Sequence, residues 1–478
     1  MEIAKPHIVL IASPGMGHLI PLLELSKRIV SLNKHHVTLF VVSTSTSTSQ
    51  SHLLKCSSKF HQDLQFVELT PVNIPDIVST NLSVESRLDL IMKESLATFK
   101  LHIASMESPP AALIVDIFGL YAFHVAEKLS IPKYVFVTSS AWFAALTIYV
   151  PTLDQEIKGQ YIELTEPIQI PGCKPIRPSD VVGPMLDRDI ERYRMYVNMG
   201  QRMRTADGIL LNTWEDLEPQ SVMALRENHN LRRIMKAHIY PVGPIIRSIG
   251  PDKIHNECLD WLMGQPNDSV LYVSFGSGGT LSFEQITEVA WGLELSLQRF
   301  IWVVRPPTMS DDASGSFFNT QRESDDPFGY LPQGFLTRIR GFGMLVHDWA
   351  PQVDILSHPS LGGFLSHCGW NSILESITNG VPMIAWPLYA EQRMNATLLA
   401  EVLGVAVQPE LLPSAKIIQR EEIAKMVRHV MVHNEGKLLR VRVRNIKKES
   451  FEAIDTRGSS YNSLLEVSKK WEANTKQV

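Results

Sequence analysis

Apolar residues along this chain fall into two alternating patterns. Short β-branched runs, His7–Ser13, Val37–Ser43, Leu113–Phe118, Tyr134–Thr138 and Gly208–Thr213, are separated by longer segments whose apolar positions recur at helical spacing. A second series follows: Val270–Phe275, Phe300–Arg305, Met344–His347, Gly362–Leu365 and Val381–Trp386. Apolar runs of roughly four to eight residues joined by helix-length segments predict βαβ units and parallel sheets covered on both faces. Two such series predict two doubly wound α/β domains. Both periodicities break at Tyr240-Pro-Val-Gly-Pro-Ile-Ile-Arg247, which places the domains at 1–245 and 246–455. In the second, Ser282-Phe-Glu-Gln285 has the form of a capping box, followed by Ile286, Val289, Ala290, Leu293 and Leu297 on one helix face. Residues 456–478 form a C-terminal segment with a helical pattern at Ser459–Trp471, whose docking the pattern leaves open. The Ser/Thr-rich run 43–51 and the acidic, turn-rich run 308–330 are expected as surface connectors, the second able to border a ligand.

The length of 478 residues agrees with two cores, since single cores stop growing near ~250–300 residues. With 44% hydrophobic and 20% charged residues, the chain is not broadly disordered. Net charge is −5, with 45 basic residues spread among 50 acidic ones, so no basic field invites nucleic acid or an anionic membrane. Cys56, Cys173, Cys258 and Cys368 lie far apart without a CxxC pair, which argues for reduced thiols and against a disulfide frame or zinc site. The first apolar run is too short for a leader, and even Ala141–Val150 falls well below the ~20 residues a bilayer needs. A cytoplasmic monomer with no metal and no membrane insertion is expected, and the sequons at Asn81, Asn267 and Asn395 read as chance matches.

The chemistry gathers at strand ends. The first run leads into Ser13-Pro-Gly-Met-Gly-His18, a glycine-rich turn that sets His18 at a helix start, where it can act as general base or simply pack the helix end. The third glycine of a dinucleotide fingerprint is missing. Asp116 is a carboxylate in an apolar run, and needs a partner. Paired with His18 it would orient the imidazole and stabilise its protonated form; the alternative is a carboxylate bonded to backbone amides. Val273-Ser-Phe-Gly-Ser277-Gly-Gly-Thr280 offers free amides before a helix. The densest stretch runs from Trp349-Ala350-Pro-Gln352 through His367-Cys-Gly-Trp370-Asn371-Ser372-Ile-Leu-Glu375 to Glu391-Gln392. Aromatic faces, a carboxylate able to accept two vicinal hydroxyls, and clustered donors together describe a nucleotide diphosphate site.

Trp349 to Gln392 resembles the signature of plant secondary-product glycosyltransferases among family 1 UDP-glycosyltransferases, and the similarity extends along the chain through Pro14–Pro21, Asp116, Ala206–Thr213 and Val273–Ser277. It looks nearest the branch acting on monolignols, hydroquinone and flavonoids. The resemblance implies the GT-B fold, two facing Rossmann-like doubly wound parallel-sheet domains, with acceptor and base in the first and UDP-sugar in the second. It implies that Trp349, with Ala350 beside it, stacks on uracil and that Gln352 and Glu375 hold the ribose. Ser277, His367, Asn371 and Ser372 are implied to hold the diphosphate, and Trp370, Glu391 and Gln392 the sugar. UDP-glucose is the implied donor, with no further cofactor. The implied reaction is inverting and metal-independent transfer to a phenolic small molecule, with His18 as base and Asp116 as its partner. Met16, Phe118, Trp142 and Phe143 follow strand ends and are candidates for the acceptor cleft. After Gly119 similar chains often carry Thr-Asp, whereas this one has Leu120-Tyr121. Transfer to oxygen is the expectation, and transfer to an aromatic carbon by the same base is the alternative. A silent nucleotide binder and an NADP-dependent oxidoreductase, suggested by Arg305 and the glycine-rich strand ends, are remoter readings.

Overall fold

A computed structural model of the chain describes residues 5–32, 34–42, 62–69, 83–247, 256–307, 326–347, 349–411 and 416–475. The run 43–51, Cys56, Asn81 and residues 308–325 of the acidic connector lie outside these. The apolar runs pair into two wholly parallel sheets. The seven-stranded sheet is ordered β3-β2-β1-β4-β5-β6-β7. Its strands are β1 His7–Ala12, β2 His36–Val42, β3 Leu64–Leu69, β4 Ala112–Val115, β5 Lys133–Val137, β6 Gly208–Leu211 and β7 His238–Pro241. The six-stranded sheet is ordered β10-β9-β8-β11-β12-β13. It comprises β8 Val270–Ser274, β9 Arg299–Val304, β10 Gly343–His347, β11 Leu361–Ser366, β12 Met383–Ala385 and β13 Ala406–Val407. Each sheet reverses its winding once, between β1 and β4 in the first and between β8 and β11 in the second. Each is a Rossmann-like doubly wound unit, as the alternating pattern predicts.

All ten expected strands form. The three the pattern missed, β3, β7 and β13, are all edge strands. A strand buried on both faces reads as an unbroken apolar run, whereas an edge strand has no such requirement. In β3 the middle residues Gln65–Glu68 are partly or fully exposed. β7 ends on Pro241, the donor-less residue an edge tolerates, inside the segment expected to be a linker.

One unit comprises Met1–Ile246 with Glu452–Val478, the other Arg247–Phe451. The last helix, Ser459–Thr475, belongs to the first unit, where Leu464, Val467 and Trp471 join the core formed by β1, β2, β4 and the helix Met16–Ser31. In the second unit Leu271, Val273, Trp302, Leu365, Ile384 and Trp386 from the sheet pack against the helices Phe283–Ser296 and Arg420–Met431. The capping box is half formed. Ser282 accepts from the Gln285 N–H at 3.2 Å, but the Gln285 side chain pairs with the backbone of Ile418 instead, at 3.0 and 2.8 Å. A buried amide between two elements satisfies two backbone groups there, where a reciprocal cap would satisfy one.

Candidate active site

Ligands of doubly wound sheets sit beyond the carboxyl ends of the strands, where the winding reverses. In the first unit that point joins β1 to β4. Ile11 faces Val115 across the ladder, so the next residues of each strand, leading to Ser13 and Asp116, emerge side by side. β4 stops at Val115, short of the expected Phe118, because the Asp116 side chain turns the backbone: Oδ1 accepts the N–H groups of Phe118 at 3.1 Å and Gly119 at 2.9 Å. Oδ2 accepts the backbone N–H of Ser13 at 3.0 Å and the Ser13 hydroxyl. His18 lies in the first turn of the helix Met16–Ser31, its Nδ1 3.4 Å from the same Oδ2. Both readings of Asp116 therefore hold together: amides position it and His18 faces it. The carboxylate is fully buried, which alone would raise its pKa, yet the hydrogen bond and charge of His18 and the two Ser13 donors hold it below the ordinary value. Phe118 presents its edge to the imidazole, ring centres 5.2 Å apart.

The other acceptor candidates divide. Met16 is half-buried, whereas Trp142 and Phe143 are buried, Phe143 stacked on Tyr196. Trp142 and Phe143 open the helix Ala141–Glu156, whose Ala141 and Trp142 N–H groups are taken by the buried Glu218 carboxylate.

In the second unit the equivalent point joins β8 to β11. Ser274 faces Ser366, so the loop carrying exposed Ser277 emerges beside His367. The imidazole occupies space left by glycine: a Cβ on Gly276, held at φ +77°, would strike the ring, as would one on Gly369. Burial, with the charge of Arg305 adding to it, pushes the His367 pKa down to about 4, so the ring is neutral near pH 7 and meets a ligand as an N–H dipole. Trp370 begins the helix Trp370–Asn379, with Gly369 before it and its amide ends toward the same region. Trp349, just past β10, is 58% exposed, an unusual outlay of indole surface. Ala350 behind it is buried. Gln352 donates through Nε2 to Ser372 Oγ at 3.0 Å and Glu375 Oε2 at 2.6 Å, a crosslink from another element to the helix that carries them. Burial pushes Glu375 up to about 7, against the opposing effects of Gln352 and Arg247. Past β12, the Gln392 Oε1 accepts the N–H groups of Leu388 and Tyr389 at 2.8 and 3.0 Å. That fixes the carboxamide's orientation and turns its NH2 away from them. Glu391 precedes it at the start of the helix Gln392–Thr397.

The structure thus brings Ser277 and His367 to the adjoining ends of β8 and β11, with Asn371, Ser372 and Glu375 on the helix after β11, Glu391 and Gln392 past β12, and Trp349 and Gln352 past β10 at the edge of the same sheet. Sequence reasoning missed Ser13 as a partner of Asp116, a pairing visible only once β1 and β4 are known to be neighbours. It missed Arg305 as a charge acting on His367, and Arg305 also lines a small recess with Ser274, Thr280 and Trp302. Among the described residues, no group of three or more His, Cys, Asp or Glu is placed to hold a metal, and no helix is long and apolar enough to cross a membrane.

A family profile described as "UDP-glucoronosyl and UDP-glucosyl transferase" matches residues 251–450. The chain is 51% identical to anthocyanidin 3-O-glucosyltransferase 5 of Manihot esculenta, covering 99% of this chain and 97% of the other. It is 43% identical to hydroquinone glucosyltransferase of Rauvolfia serpentina over 98% of each. Among solved structures, TcCGT1 in complex with UDP matches with a TM-score of 0.94 and 57% identity, over 98% of this chain and 100% of that one.

Proposed function

The chain belongs to the UDP-glycosyltransferase family, and from that premise we propose that it transfers glucose from UDP-glucose to a phenolic small molecule, with His18 as general base. The observation that carries this reading is His18 set 3.4 Å from a fully buried Asp116 whose carboxyl is held below its ordinary pKa. With Nδ1–H directed at Asp116, the Nε2 lone pair is free to take the acceptor's hydroxyl proton. The oxygen then attacks the anomeric carbon from the face opposite UDP, the new C–O bond forms as the bond to the diphosphate breaks, and the configuration inverts. Asp116 stabilises the imidazolium, so the proton stays on His18 while UDP departs. A phenol suits this base, because its pKa near ~10 lies only a few units above that of an imidazole. The first unit supplies base and acceptor site, the second the donor site.

On the donor side, the exposed Trp349 ring offers a face to uracil, the Gln352–Glu375 pair accepts and orders the ribose diol, and Ser277, neutral His367, Asn371, Ser372 and the amides at Trp370 meet the diphosphate. The Gln392 NH2, Glu391 and Trp370 are assigned to the sugar. These groups stabilise the leaving charge without a metal.

One feature favours a second reading, transfer to an aromatic carbon. Tyr121 stands where similar chains carry Asp, and its hydroxyl donates to Asp89 at 2.6 Å while Lys93 and Arg202 lie 5.0 and 4.2 Å from the ring centre. The turn beside the base thus carries no second carboxylate to bind the acceptor. A phenolate formed by His18 can then attack the anomeric carbon through oxygen, or through its ortho carbon, which then releases its proton to solvent as the ring regains aromaticity; in both cases UDP departs. Incubation with UDP-glucose and a panel of phenols, followed by acid hydrolysis of the products, tests both: O-glucosides release glucose and C-glucosides do not. No transfer to any phenol would sink the proposal.

A further inference from the structure

We propose that Asn395 is a positioning residue for the donor sugar: its carboxamide ties the turn carrying His367 to the helix start carrying Glu391. The proposal rests on the donor-site reading above. Asn395 lies one helical turn past Glu391, beyond the signature stretch, and is completely buried. Its Nδ2 donates to the Cys368 carbonyl at 3.1 Å and stands 3.4 Å from Glu391 Oε1, while its backbone N–H donates to the Glu391 carbonyl at 3.1 Å. The two N–H bonds of the carboxamide suffice for both acceptors, one a backbone carbonyl and one a carboxylate.

The turn it holds needs holding. Cys368 follows His367 in the left-handed region at φ +65°, a conformation that costs a residue with a Cβ about 1–2 kcal/mol and persists only where its surroundings enforce it. Its carbonyl lies beyond β11 in a fully buried residue and requires a donor, which Asn395 supplies. On the other side Ala390 is also left-handed, at φ +53°, directly before Glu391. Asn395 therefore joins two strained turns, one bearing the proposed diphosphate ligand His367, the other the proposed sugar ligands Glu391 and Gln392. Shifting one against the other changes where the sugar sits relative to the diphosphate while leaving uracil and ribose contacts in place. The same burial removes Asn395 from consideration as a glycan acceptor in the folded protein, despite its sequon.

Asn395→Asp keeps the size and sets acceptor oxygens against the Cys368 carbonyl and Glu391; Asn395→Ser keeps one donor for two acceptors. In the full-length enzyme, calorimetry with UDP is expected to give affinities within about threefold of the parent, while the KM for UDP-glucose rises about tenfold in Asn395→Asp and less in Asn395→Ser, with the acceptor KM unmoved. An unchanged UDP-glucose KM overturns the proposal. So does an equal loss of UDP and UDP-glucose affinity, the mark of a merely structural side chain. Should Asn395→Asp fail to fold by circular dichroism, the same readings on Asn395→Ser decide it. A parent enzyme that binds no UDP overturns the donor-site reading instead, and this proposal with it.

Discussion

Burial raises the pKa of both Asp116 and Glu375, and only at Glu375 does it prevail. Asp116 is completely enclosed, which alone would raise its pKa, yet it stays acidic because His18 faces it and the Ser13 N–H and hydroxyl donate to it. Removing His18 should take away the proton acceptor without touching the donor site. His18→Ala is expected to lower kcat/KM for a phenol by at least ~10²–10⁴-fold while UDP affinity by calorimetry changes only a few-fold, and undiminished turnover would remove His18 from the base role. Glu375 has fewer donors and is pushed up to about 7 by its burial. On the proposed donor-site reading the ribose diol needs it ionised, so UDP affinity should fall as pH drops from 8 to 6. Folding responds in the opposite sense. A carboxyl raised above its unfolded value stabilises the fold below pH 4.5, and that contribution is lost as pH rises through 7. Glu375→Gln should therefore be more resistant to urea than the parent at pH 8, by on the order of 2–3 kcal/mol, with the difference vanishing only below pH 4.5. The same variant should bind UDP about 1–3 kcal/mol more weakly at pH 8. A variant that matches the parent in both measurements would show that Glu375 is neither strained nor a ligand.

At the scale of elements, the strand-end loops decide whether the donor groups converge. Gly276 serves twice, adopting φ +77° and leaving room for the imidazole of His367. Gly276→Ala is expected to displace that ring and weaken UDP binding more than tenfold, whereas Ser277→Ala, on an exposed side chain, should cost only the ~0.5–1.5 kcal/mol of one hydrogen bond. Parallel calorimetric titrations of the two variants check this, and equal effects would mean that the loop backbone is not the constraint. The same loops show how far pattern reading reaches. The GSGG string and the helix after it are plain in the sequence, and Ser282 caps that helix as its position predicts. That Gln285 leaves the cap for Ile418 is invisible, because Ile418 is remote in sequence and reaches it only through packing.

At the scale of the molecule, the chain forms one unit, then the other, and returns to the first through its final helix. Trp471 is completely buried there, edge-on to His35 and Tyr134 at 5.7 Å from each. Trp471→Ala should destabilise the first unit by about 3–5 kcal/mol. Urea unfolding followed by tryptophan fluorescence should show that loss, and a midpoint equal to the parent's would mean the helix is dispensable to the core. Sequence alone sufficed for whatever is written locally: strands buried on both faces are unbroken apolar runs, helices repeat every 3.6 residues, and glycine-rich strand ends with His18, Asp116 and the Trp349–Gln392 stretch announce where the chemistry lies. Three of the four edge strands escaped: β3 because its middle faces solvent, β7 because it lies in the proline-broken segment, and β13 because it is only two residues long. The order of strands, and with it the adjacency of Ser13 to Asp116 and of Ser277 to His367, the crosslink of Gln352 to Glu375, the tie of Asn395 to Cys368, and the docking of the last helix were decided by tertiary structure. Each joins residues far apart along the chain or on separate elements, and their attraction is set by burial and geometry that exist only once both sides have folded.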